Sequence, residues 1–272
     1  MPTLARAPAP FAASRSAWAW AAFGTLLGAL WAVLQFAPAV WLQQAAYAAS
    51  GGRLALSDSM GTLWQGSAEL ALRGGPGSKD AARLPGRLQW VLRPGLDGLQ
   101  IVLHLRLHAD CCTPQPLALT WTPGLRSWRL QLAASSSSWP AEVLAGLGTP
   151  WNTVQLQGPL VFSTSGLGLD SALHRLRVEG SLRLDLPGVS SRLSTLRPLG
   201  SYRLQLQGGE QATLELQTVE GSLRLQGSGR WTGGHLRFEG EASADAAHEA
   251  ELSNLLNIMG RRDGARSLIT LG

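Results

Sequence analysis

The sequence predicts a mainly β protein: a single N-terminal transmembrane helix, then an antiparallel β-sheet domain of about ten strands with two short helices. Three features lead there. No Asp, Glu, Lys or Arg occurs between Arg15 and Arg53. From Leu54 onward, Leu alternates with polar residues in run after run. Gly, Pro, Ser and Asn separate those runs at hairpin spacing.

The charge-free gap holds AWAWAAFGTLLGALWAVLQFAPAVWL, Ala17 to Leu42. A bilayer core needs about 20 apolar helical residues, and this run supplies them. Trp18 and Trp20 lie near one end, Trp31 within, and Trp41 and Tyr47 near the other, as amphipathic rings settle at the two interfaces. A cleavable signal peptide is the rival, with Ala46-Tyr47-Ala48 as its small-x-small site. Signal h-regions run about 7–15 residues, however, and this stretch is longer. Arg6 and Arg15 precede it without acidic company, so the positive-inside rule puts residues 1–16 in the cytoplasm. Either reading exports the remainder. Gly24 and Gly28 form a GxxxG, which lets two membrane helices approach and suggests self-association; glycine is also simply common in such helices.

After the anchor comes SMGTLWQGSAELAL, residues 59–72. No acid, base or thiol stands near Trp64 to make a reactive site. Gly61 and Gly66 let the chain turn and approach closely, SAELAL alternates as a strand, and Trp64 is expected to pack into the first sheet layer.

Alternation is clearest in LQIVLHLRLHA (99–109) and recurs at 127–133, 153–162, 175–186, 201–207, 212–218, 221–231 and 235–242. Such strands are apolar on one face and wet on the other. Two segments read instead as helices. SSWPAEVLAGLG (137–148) has a Ser cap, Pro140, an early Glu142 and a terminal glycine, with SSSS as a linker before it. AAHEAELSNLLNIMGRR (246–262) places Leu252, Leu255, Leu256 and Met259 on one face. Each helix follows a strand and a small-residue linker. The exported part thus reads as two duplicated β-rich halves, 50–150 and 151–272; chance likeness of two short stretches is the alternative.

Composition excludes several functions. The net charge is +5, Lys79 is the only lysine, and the arginines are scattered singly, so a nucleic-acid surface is not expected. His104 and His108 share a strand face but stand about 13 Å apart, too far for one metal ion. His174, His235 and His248 are isolated. There is no G-x-S-x-G, S-x-x-K or H-E-x-x-H, and no phosphate loop. No catalytic residue, metal or cofactor is expected. Cys111 and Cys112 are adjacent and exported. A vicinal disulfide before Pro114, free buried thiols and a link to another chain all remain open.

The order of elements carries a resemblance. A short basic N-terminus, one anchor and GTLWQG are followed by long Leu-polar alternation. PLGSYRLQLQG (198–208), LELQTVEGSLRLQGSGRW (214–231), LRFEGEASA and a helix ending LLNIMGRR come late. This resembles the type II secretion system protein N family over essentially the whole chain. The resemblance implies a single-pass bacterial inner-membrane protein with an N-terminus in the cytoplasm and a periplasmic β-rich domain. It also implies partners among inner-membrane platform proteins and the secretin side, in a machine that exports folded proteins. It transfers no catalytic residue. The alternative is an envelope lipid-handling or scaffold protein whose Leu-rich face forms an open β-groove instead of closing on itself.

Overall fold

The computed structural model describes residues 15–75, 77–124, 126–149, 151–172, 175–232 and 235–271. Most of the expected cytoplasmic segment and His174 lie outside these residues. The chain divides into two units, one up to Ala37 and one from Pro38.

The first unit holds α1 (Arg15–Gln35). Its segment Trp18–Gln35 is long and apolar enough to cross a membrane, with a mean hydropathy of 1.3. Trp18, Trp20 and Trp31 are each at least 70% exposed, so these rings have no protein core around them. A Cβ at Gly24 or Gly28 would meet nothing within 4 Å. The helix is shorter than the apolar run that predicts it. Pro38 biases the preceding residue away from helix, and α2 (Val40–Ala49) starts afresh beyond it. Trp41 and Tyr47 therefore lie on α2, in the second unit.

The second unit is an antiparallel meander. β1 (Leu54–Gly61) pairs with β2 (Gln65–Arg73). β3 (Ala81–Arg83) and β4 (Leu88–Asp97) run in turn along the far side of β2. β5 (Gln100–Ala109), β6 (Leu117–Pro123) and β7 (Ser127–Leu132) follow in order. β8 (Ser135–Pro140) precedes a 3-10 helix (Ala141–Leu147), α3 (Trp151–Val154) and β9 (Leu156–Gln157). β7 and β8 both pair with β10 (Pro159–Ala172), so the sheet passes residue 150 without a break. β11 (Arg175–Ser191), β12 (Gly200–Gly209), β13 (Thr213–Gly221), β14 (Leu223–Thr232) and β15 (His235–Ala244) each pair with the strand before. After α4 (Glu249–Met259), β16 (Arg261–Asp263) pairs with β17 (Arg266–Leu271), which lies beside β15.

Two expectations are corrected. SSSSWP is a strand, β8, and not a linker: its backbone pairs from Ser135↔Thr164 to Pro140↔Pro159, and the neighbouring strand overrides weak local propensity. The helix predicted over 137–148 shrinks to a 3-10 turn, whose Gly146 sits too close to the Leu72 backbone to carry a side chain. The second helix is present as α4, with Leu252, Leu255 and Leu256 buried.

Three buried clusters hold the sheet. One lies under α4 and gathers Val189, Leu199, Tyr202 and Leu223 with the α4 leucines. A second joins Ala39 to Leu56, Ala68 and Trp90. A third sets Val143 of the 3-10 helix against Leu84, Ala109 and Cys112.

Candidate functional site

The turn GTLWQG is built around a tryptophan, and the buried ring is Trp90. Gly61 pairs with Gly66, and Gly66 pairs with Trp90. The Trp90 indole is 1% exposed and fills the space over Gly66. Its Nε1–H donates to the carbonyls of Thr62 (3.2 Å) and Leu63 (3.1 Å). Gly61, at φ +89°, takes a left-handed conformation that suits glycine. Trp64 itself is half-buried, and its carbonyl accepts the Leu92 N–H at 2.7 Å. Pro38 bridges to Thr62, and the Ala39 N–H donates to the Gly61 carbonyl, so the chain joins the sheet at this corner. Sequence reasoning missed Trp90. A Trp two residues after Gly-Arg-Leu, at strand spacing from Leu88 and Leu92, was the available signal.

Register carries the leucines of successive strands onto one inner face. Leu92 is level with Leu105, Leu119, Leu132 and Leu167 across β4 to β10. The next row holds Leu103, Trp121, Leu130 and Leu169, and reaches Val178 of β11. In β10 the apolar residues change parity, from Leu160 and Phe162 to Leu167 and Leu169. The register shift between Thr164 and Gly166 keeps both sets on the same side. The leucines of these two rows are half-buried, and Trp121 is 43% exposed.

At the far end of this face lies an apolar cavity of about 280 Å³. Leu72 and Leu84 form one wall, Phe162 and Leu184 the other, and Leu144 of the 3-10 helix closes one side. β2 and β10 lie several strands apart in the meander, so the sheet must curl for both to line one space. The outer face is wet: Arg203 donates to Asp185 at 2.6 Å, and Gln226 to Glu241 at 2.8 Å.

The sulfurs of Cys111 and Cys112 are bonded to each other. The turn that carries them is also held by Thr113, whose Oγ1 accepts the Ala109 N–H at 2.8 Å. His108 meets Thr113 and His104 faces Thr120, so the two histidines have separate partners. Among the described residues no His, Cys, Asp and Glu cluster could hold a metal ion. Burial pushes the Tyr202 hydroxyl well above its ordinary pKa, and that hydroxyl donates to the Leu223 carbonyl at 3.0 Å. A hydrogen bond with His248 holds the Asp245 carboxyl below its ordinary value at the start of α4.

A family model described as type II secretion system (T2SS), protein N, matches residues 52–269. No curated protein and no solved structure matches the chain.

Proposed function

The chain belongs to the type II secretion system protein N family, and on that footing we propose that it serves this machine as a non-enzymatic inner-membrane component. The family match, which takes in almost the whole β-rich unit, carries the reading. Within the apolar run 17–42, α1 is its single anchor; residues 1–16 are cytoplasmic, and the β-rich unit is periplasmic. We read 50–150 and 151–272 as its two halves. Contacts with platform proteins and with the secretin side run through the wet outer face and through strand edges. Backbone pairing at such an edge gives affinity without a dedicated pocket. One polar cleft of about 550 Å³ on the outer face, lined by Gln217, Glu220, Arg224 and Glu241, offers charged groups for such a contact. Self-association through Gly24 and Gly28 fits the same anchor.

Affinity purification of the tagged full chain, after mild cross-linking in cells, tests the contacts. Platform or secretin components should co-purify above the level of a membrane protein of unrelated function. Their absence would count against this reading.

A further inference from the structure

The two ends of the sheet differ. β1 reaches Gly61 beside Pro38 and Ala39, where the chain enters the unit a few residues after α1. Antiparallel alternation brings the ends of β4, β6 and β10 to that same end. The hairpin from β4 to β5 is tight there, turning through Gly98 and Leu99. The 3-10 helix and α4 pack at the opposite end, against β3 and β15.

The open end is apolar where a soluble rim would be polar. Leu96 is 78% exposed, Leu99 fully exposed and Ile101 58% exposed. Leu96 pairs with Ile101, and Trp128, also exposed, pairs with Pro123. These residues lie on the inner face or at its lip, one row outside Leu103, Trp121 and Leu130. An apolar surface therefore runs from an exposed mouth, along half-buried rows, to the cavity under the 3-10 helix, crossed by one polar row at Ser135 and Thr164. The cavity is too large for an ordinary packing gap, and its lining offers water no hydrogen-bond partner. A peptide strand in the same place would bury its amides unpaired. A hydrocarbon chain meets both conditions.

We propose that this inner face takes one acyl chain of a membrane phospholipid, which enters between the hairpin tips bearing Ile101 and Trp128. The headgroup stays at the mouth, and the chain lies along Leu130 and Leu169 toward Phe162. Two residues separate the end of α1 from Pro38, which bridges to Thr62 at this end of the sheet, so chain continuity makes a membrane phospholipid the acyl source this proposal commits to. This rests on the reading of α1 as a membrane anchor.

The full chain is reconstituted in nanodiscs of phosphatidylethanolamine and phosphatidylglycerol that carry a phospholipid with a diazirine near the end of one acyl chain. After irradiation and digestion, adducts are mapped by mass spectrometry. Adducts are expected on β7 and β10 peptides as well as on α1. Ile101→Glu and Leu99→Glu, at exposed positions that spare the core, should lower the β7 and β10 adducts at least fivefold and leave those on α1. Adducts confined to α1, or unchanged β10 adducts in both variants, overturn the proposal. Carbonate extraction of cell membranes separates the two readings. A chain released by carbonate overturns the anchor and the route of entry, whereas α1-only adducts on a carbonate-resistant chain overturn the acyl site alone.

Discussion

The indole of Trp90 lies so close over Gly66 that a Cβ on residue 66 would stand 2.5 Å from its Cζ2 and 2.5 Å from the Met60 carbonyl oxygen. GTLWQG thus has two glycines for a steric reason: one turns the chain and the other makes room for a ring. Gly66→Ala should lower stability by about 1–3 kcal/mol through overpacking. Trp90→Ala should lower it by about 3–5 kcal/mol. Trp64→Ala, at a half-buried position, should cost less than Trp90→Ala. Thermal unfolding of the detergent-solubilised chain ranks the three; equal midpoints for Trp64→Ala and Trp90→Ala would refute the assignment.

The turn at Cys111 and Cys112 does not depend on its sulfurs alone. Thr113 is 3% exposed, and its hydroxyl satisfies the Ala109 N–H. Thr113→Val keeps the shape but strands that donor, so a loss of about 1–3 kcal/mol is expected. Iodoacetamide should add no mass to the native chain and should add two alkyl groups after reduction. Alkylation without reductant would show free thiols.

Tyr202 supplies a pH dependence. Its hydroxyl is buried, so the folded chain holds the proton more tightly than the unfolded one. The folded pKa is raised, so this stabilisation is complete below the unfolded value of about 10 and declines as pH rises beyond it. Stability should therefore fall above that pH, and Tyr202→Phe should remove this part of the alkaline limb. The variant also leaves the Leu223 carbonyl without its donor, at about 0.5–1.5 kcal/mol near neutrality. Denaturant melts at pH 8 and pH 10.5 measure both. A variant with the same alkaline loss as wild type would contradict the assignment.

Residue chemistry makes part of this fold legible in the sequence. Leu-polar alternation marks β5, β7 and β11 to β15 because one face is apolar throughout. The α4 leucines recur at helical spacing and bury as expected. β8 was not legible: four serines and a Trp-Pro have weak strand preference, and only pairing with β10 makes them a strand. β4 carries Pro94 and Gly95, which argue against a strand. Beyond Val91, however, β4 has β5 alone as its neighbour, so the missing N–H breaks no ladder. The inner face needs register across six strands and a β10 bulge, and neither can be read from a single segment. The open end is likewise a property of topology.

Export of the β-rich unit is checked with a fusion. Alkaline phosphatase joined after residue 272 should be active in cells, because it folds only outside the cytoplasm. Removing residues 17–35, which leaves Pro38 and Ala39 in the β-rich unit, should abolish that activity. An inactive fusion to the intact, expressed chain would place the unit in the cytoplasm and contradict the topology.

A role in type II secretion is tested by an in-frame deletion. Secreted and periplasmic levels of a folded type II substrate are compared in wild type, deletion and complemented cells. The deletion should leave substrate in the periplasm, and the intact chain supplied in trans should restore its release. Wild-type secretion in the deletion strain, for every substrate of the system, would exclude that role.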